Sequence, residues 1–276
     1  MLRRLLLALG GAVLLVAVVP AVRWPPSPAP AARRVDAALR RCAWRPWPLD
    51  LHWHNYAGIE VLEAWSHGAR PPERAPTLLI LHGYGDDPEG PLPLVEDLPY
   101  RLRALLPQGP YRAPGGHAWF PALVRHSHAA DYSHALAQAT RRLGEWLIQM
   151  QARGHLDAPV ILTGFSQGGI MALALALHYP QLVHAALPIA AWLPPRWRRP
   201  PPTRMHPLPH IYALHGTADQ RIPARPAQQM WHTLRRMGWP VAARLYPGLG
   251  HQLGEAMAWQ YKDWLVQALD ARFASR

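Results

Sequence analysis

Residues 159–168, Pro159-Val160-Ile161-Leu162-Thr163-Gly164-Phe165-Ser166-Gln167-Gly168, decide how this 276-residue chain is read. The run Val160–Thr163 is apolar and β-branched, as in a strand buried on both faces. Gly164-Phe165-Ser166-Gln167-Gly168 then matches G-x-S-x-G, and a segment with helical spacing follows from Gly169 to Tyr179. Strand, tight turn and helix in direct succession are the setting in which such a serine is raised on a sharp turn as a nucleophile. The turn strains the serine backbone and leaves no room beside it, a demand that Gly164 and Gly168 meet. The helix start adds backbone N–H groups and a positive dipole end near the hydroxyl. Without that setting the match would be a glycine turn holding a spectator serine.

Working outward, short apolar runs alternate with longer amphipathic segments. The runs are Thr77–Leu81, Leu102–Leu106, Val160–Thr163, Ala185–Ile189, Ile211–Leu214 and Val241–Tyr246. The helical segments are Tyr132–Arg153, Gly168–His178, Pro226–Met237 and Glu255–Leu269. This alternation predicts a mostly parallel sheet covered by helices on both faces, and with the serine turn it predicts an α/β-hydrolase fold. Ahead of it, Leu51–Tyr56 and Ile59–Trp65 flank Ala57-Gly58, the pattern of an antiparallel hairpin. Pro194–Pro209 is rich in proline and arginine and reads as an irregular excursion.

A serine hydroxyl needs a base, and the base needs a carboxylate to orient it. In this fold the order along the chain is serine, acid, histidine. Asp219 lies in the loop after the run Ile211–Leu214, whereas Glu255, Asp263 and Asp270 come after any usable histidine, so the acid falls on Asp219. Its ordinary alternative is to cap the following helix. His251, in Gly248-Leu249-Gly250-His251, follows the run Val241–Tyr246 at a strand's carboxyl end, where such sheets gather their reacting groups. His178 and His232 sit within helical segments, His184 opens a strand, His206 falls in the excursion, and His210 and His215 precede the acid. The two oxyanion donors expected are the backbone N–H of Gln167, directly after the serine, and that of Tyr84 in Leu81-His82-Gly83-Tyr84-Gly85-Asp86. His82 is expected to prop this loop, and Trp119 and Trp192 are candidates for the substrate cleft, although a chain with 13 tryptophans also needs them for its core.

Taken together, HGYGDD (82–87), GFSQGG (164–169), HGTADQRIP (215–223) and GLGH (248–251) resemble the carboxylesterase/phospholipase family that includes acyl-protein thioesterases. Residues 106–109 and 115–120 and the stretch Ala191-Trp192-Leu193-Pro194 fit the same family, so the likeness runs from about Ala75 to Trp264. It implies Ser166, Asp219 and His251 as the triad and Tyr84 and Gln167 as oxyanion donors. It also implies hydrolysis of small or lipid carboxylic esters or thioesters without a metal or other cofactor. Three departures stand out. Pro121 occupies a position after Trp-Phe that is usually acidic in the family. The excursion at 194–209 falls near the expected acyl pocket, and the N-terminal segment is foreign to members that are commonly soluble and cytoplasmic.

That segment opens with Arg3-Arg4 and an uncharged, largely apolar run, Leu5–Val22, and reads as a signal peptide or membrane anchor. The expected organisation is therefore an anchor or signal at 1–22, a proline-rich linker at 23–45 and a catalytic domain at 46–276, outside the cytoplasm in either case and in membrane contact through residues 5–22 where the segment is an uncleaved anchor. The formal charge is +12, yet without the five arginines of residues 1–35 the remaining 24 basic and 17 acidic groups leave +7. No base-reading module accompanies this charge, which argues against a nucleic-acid partner. Cys42 is the single cysteine, so neither an intrachain disulfide nor a cysteine metal site can form. His117, His126, His128 and His134 have only Asp131 close by in sequence, a poor set for a metal. A peptidase or a polyester depolymerase would share the triad, and a non-catalytic binding module would usually lack part of it.

Overall fold

A computed structural model describes residues 49–66, 75–96, 98, 100–121, 129–157, 159–203, 205 and 207–274. The readings made for residues 1–22, for the linker at 23–45, and for His126, His128 and His206 lie outside the described residues. Among those described, no helix is long and apolar enough to cross a membrane.

The chain opens with a hairpin, β1 (Asp50–Tyr56) and β2 (Ile59–Trp65). Its turn residues Ala57 and Gly58 both take positive φ, 53° and 80°, as a two-residue hairpin turn of this hand requires. The Asn55 carboxamide oxygen accepts the Gly58 N–H at 3.0 Å, which helps hold a non-glycine residue in that conformation. Then come β3 (Thr77–Leu81), β4 (Arg103–Pro107), the short pair β5 (Tyr111–Ala113) and β6 (Gly116–Ala118), and α1 (Ala129–Ala152). The second half runs β7 (Val160–Phe165), α2 (Gln167–His178), β8 (Val183–Ile189), β9 (His210–Gly216), α3 (Ala224–Arg236), β10 (Val241–Tyr246) and α4 (Glu255–Ala274).

Eight strands form one sheet in the order β1-β2-β4-β3-β7-β8-β9-β10. β1, β2 and β4 pair antiparallel, and every pair from β4 to β10 is parallel. Alternate residues of each central strand enter two separate cores, as the two-sided burial of a parallel sheet demands. On one face Leu79, Leu162, Ala186 and Ala213 meet α1, α2 and α3 through residues such as Leu143, Leu173 and Met230. On the other, Leu78, Ile161, Leu187 and Leu214 meet Tyr261, Leu265 and Leu269 of α4. Helix α2 is buried from Gln167 to Leu177, which explains why its sequence is apolar all round rather than on one stripe.

The hairpin β5–β6 is not legible from periodicity, because strands of three residues are too short to show an alternation. It nevertheless positions the site. Gly85 donates to the His117 carbonyl at 2.8 Å and His117 donates to the Asp86 carbonyl at 2.9 Å, so the loop after β3 is held along β6. Among the described residues of 194–209 the chain is irregular except for one short 3₁₀ turn, Pro195–Trp197. Its Arg198 guanidinium donates to the Leu193 carbonyl at 3.0 and 3.1 Å, and Trp239 donates its indole N–H to the Arg199 carbonyl at 2.7 Å.

Candidate active site

Ser166 sits between β7 and α2 with φ 54° and ψ −117°, a backbone conformation that costs a non-glycine residue about 1–3 kcal/mol. The surroundings enforce it: its N–H donates to the Ile189 carbonyl of β8 at 3.0 Å, while its own carbonyl accepts the Ile170 N–H at 2.9 Å. Both motif glycines lie where backbones touch. A Cβ on Gly168 would stand 1.9 Å from the Leu81 carbonyl oxygen, and one on Gly164 would stand 2.6 Å from that same oxygen. The spacing of the motif is thus dictated by the end of β3, against which the turn is pressed.

The structure brings Ser166, His251 and Asp219 into one line although they lie far apart along the chain. His251 Nε2 is 2.9 Å from Ser166 Oγ, and His251 Nδ1 is 2.7 Å from Asp219 Oδ2. A nitrogen facing a carboxylate must carry the proton, so Nδ1–H donates to Asp219 and the bare Nε2 lone pair faces the serine hydroxyl. The ring packs against Phe165, centroids 4.8 Å apart. The loops that carry the acid and the histidine are stitched together: Thr217 donates to the Tyr246 carbonyl and Ala218 to the Leu249 carbonyl, both at 2.9 Å, and Gly248 donates to Thr217 Oγ1 at 2.9 Å. A Cβ on Gly216 would fall 2.2 Å from the Leu249 carbonyl oxygen, so this approach also requires glycine.

The Asp219 side chain is wholly buried, yet no Lys or Arg side chain pairs with it among the described residues. Oδ1 accepts the N–H of Arg221 at 2.9 Å and of Ile222 at 2.8 Å, and Oδ2 accepts His251. Burial alone would raise its pKa. The hydrogen bonds from His251, Ile222 and Arg221 outweigh that effect and hold the carboxyl below its ordinary value.

Gln167 occupies the first helical position of α2, where an N–H has no intrahelical acceptor. Tyr84 follows β3 in the facing loop, and among the described residues neither amide N–H has a protein acceptor. His82 props this loop from behind: Nδ1 lies 2.7 Å from the Gly83 carbonyl, and Nε2 accepts the Gly109 N–H at 2.9 Å. Burial, opposed by the Gly83 contact, lowers the pKa of that imidazole. The Gln167 side chain has a task that the sequence reading did not assign. Its Oε1 accepts the Trp119 N–H and its Nε2 donates to the Phe120 carbonyl, both at 2.8 Å, tying the start of α2 to the segment after β6.

Trp119, one of the two cleft candidates, is only 3% exposed, and its indole N–H donates to the His82 carbonyl at 2.9 Å. That places it as a strut beneath the loop after β3; it also lines a cleft of about 290 Å³ with Gly109, His117 and Leu143. Trp192 is half-buried, its ring under the Arg198 guanidinium at 5.9 Å. His117 Nδ1 pairs with Asp87 Oδ1 at 2.5 Å, and among the described residues no group of three or more His, Cys, Asp or Glu could hold a metal ion.

The profile of the Phospholipase/Carboxylesterase family matches residues 68–267. A probable carboxylesterase of Oryza sativa subsp. japonica is 30% identical over 116 residues, covering 41% of this chain and 42% of that protein. Acyl-protein thioesterase 1 of Gibberella zeae is 25% identical over 202 residues, 63% of this chain and 83% of that protein. The chain therefore spans under half the length of the rice relative and most of the fungal one. Among solved structures, the Bacillus cereus carboxylesterase superposes with a TM-score of 0.62 at 21% identity, covering 77% of this chain and 95% of that one. Acyl-protein thioesterase 2 of Zea mays superposes with a TM-score of 0.55 at 21% identity, covering 73% and 97%.

Proposed function

This chain belongs to the phospholipase/carboxylesterase family, and from that footing we propose that it is a serine hydrolase that cleaves carboxylic esters or thioesters through an acyl-enzyme. The observation that carries the proposal is the position of His251, 2.9 Å from the Ser166 hydroxyl on one side and 2.7 Å from a buried carboxylate on the other. An imidazole so placed takes the serine proton as Oγ attacks the carbonyl carbon. Asp219 keeps its tautomer and stabilises the imidazolium. The N–H groups of Tyr84 and Gln167 receive the negative oxygen, a term worth about 3 kcal/mol per donor. The imidazolium then protonates the leaving alcohol or thiol. Water, deprotonated by the same nitrogen, releases the acid and restores the serine.

The loops carrying Tyr84 and His251 also expose large apolar side chains, Tyr84 at 41% and Leu253 at 39%, which suits a substrate with an apolar acyl or alcohol part. We further propose that the catalytic body lies outside the cytoplasm, either released after a signal peptide or held at the membrane by an anchor, on the strength of Arg3-Arg4 and the apolar run Leu5–Val22. A fluorophosphonate probe is expected to label Ser166 in the folded protein, and Ser166→Ala is expected to abolish labelling and lower kcat on p-nitrophenyl esters by roughly 10⁶. Ester turnover that survives Ser166→Ala in pure protein rejects the proposal.

A further inference from the structure

The mechanism above leaves one buried titratable side chain beside the acid unused. His215 is the penultimate residue of β9, its side chain wholly buried, four residues before Asp219. Its Nε2 lies 2.7 Å from the Ile222 carbonyl oxygen and 3.4 Å from Asp219 Oδ2, the same oxygen that receives His251. A carbonyl can only accept, so the short contact requires the proton on Nε2. Among the described residues Nδ1, on the far side of the ring, has no partner, an arrangement that suits a neutral imidazole with a single hydrogen to give. The loop closes on itself around that hydrogen: Ile222 donates its N–H to Asp219 Oδ1 at 2.8 Å and receives His215 on its carbonyl.

We infer that His215 is a positioning residue for Asp219, one that holds the acid loop and lends part of its Nε2–H to Oδ2 so that this oxygen points at His251. The titratable groups facing it are Asp219 on its own loop and His251 on the neighbouring one, while α3 contributes the Trp231 ring, edge-on at 6.2 Å. Burial, ahead of the opposing pull of the Ile222 carbonyl and Asp219, lowers the pKa of His215. That matters chemically. A charged His215 would compete with His251 for the carboxylate and weaken the base; a neutral one constrains the carboxylate and leaves its charge to the catalytic ring.

The inference rests on the Ser-His-Asp reading, and its test separates the two. His215→Leu fills the space without a donor, whereas His215→Gln returns an N–H near the position of Nε2. In His215→Leu kcat is expected to fall about ten- to a hundredfold with KM changed by less than about threefold, the scale of one hydrogen bond to a charged group. The freed Oδ2 offers more charge to His251, so the acidic limb of the kcat/KM profile moves to higher pH, and His215→Gln brings both the rate and the limb most of the way back. A purely packing role would move neither the limb nor its recovery. Proton NMR of the His251 Nδ1–H, read without substrate, is expected to shift in His215→Leu and return in His215→Gln, and ¹⁵N shifts of the wild type are expected to show His215 as the neutral Nε2–H tautomer. An Nδ1–H tautomer, or an unchanged His251 proton in folded His215→Leu, overturns the assignment of His215. Absence of probe labelling at Ser166 overturns the hydrolase reading instead, and the NMR results still decide the role of His215.

Discussion

Two carboxylates are buried in this sheet, Glu63 in β2 and Asp219 after β9, with side chains 3% and 0% exposed, and their company differs in kind. Glu63 faces a permanent cation: Arg103 Nε pairs with Oε1, Tyr56 donates its hydroxyl to Oε2 at 2.9 Å, and His54 Nε2 approaches at 3.2 Å. The same guanidinium reaches the His155 carbonyl, and Trp146 donates to the Tyr56 carbonyl at 2.7 Å, so this carboxylate closes the gap between the antiparallel edge and α1. Among the described residues Asp219 receives hydrogen bonds from two backbone amides and the His251 imidazole, with His215 Nε2 3.4 Å from Oδ2 and no permanent cation paired to it. The difference teaches what each burial is for. Glu63 is electrostatically complete at rest. In the proposed mechanism Asp219 acquires its counter-charge only when His251 takes a proton, so its environment would match a charge distribution that exists only while a bond is being made.

The comparison predicts opposite signatures for the same chemical change. Asp219→Asn keeps the shape but presents an amide to His251, which favours the wrong tautomer, and kcat is expected to drop about 10⁴-fold with little change in the unfolding midpoint. Glu63→Gln leaves the mostly buried Arg103 without its counter-ion, and a broken buried pair of this kind costs about 3 kcal/mol or more. Denaturant unfolding is expected to show that loss while kcat per folded molecule, titrated with the fluorophosphonate, stays within about twofold of wild type. Were Glu63→Gln to lose turnover as steeply as Asp219→Asn at unchanged stability, the contrast between a structural and a catalytic carboxylate would collapse.

How much of this could be read beforehand follows from how local each signal is. The serine turn is legible because its constraint falls within five residues: Gly164 and Gly168 are required by the end of β3, and the strand and helix on either side carry their own periodicity. The parallel strands are legible because two-sided burial makes them continuous apolar runs, and their ends shift by a residue or two, as with Arg103–Pro107 against the expected Leu102–Leu106. Asp219 and His251 are reachable only through the order that the fold imposes. The work of the Gln167 side chain and of His215 is invisible, because one depends on Phe120, 47 residues away, and the other on an acid loop whose path no periodicity encodes. Trp119 shows a further limit: composition cannot say that a tryptophan lining a cleft also spends its N–H on the loop above it.

The smallest expected effect bears on the same contrast through pH. The Asp219 carboxyl is held below its ordinary value in the folded state, because the bonds from His251, Ile222 and Arg221 favour the anion more than burial disfavours it. A group whose folded pKa is depressed contributes stability that is fully present above its unfolded value, near 3.8, and lost as pH falls through the lower folded value. Relative to Asp219→Asn, the wild type is therefore expected to gain nothing further in stability between pH 7 and pH 5 and to lose its carboxylate contribution below about pH 4. Urea unfolding of both proteins across that range reads the difference. A stability gap that instead widened towards acid would mean that the buried carboxyl prefers its proton, and the acid proposed to orient His251 would be neutral where it is needed charged.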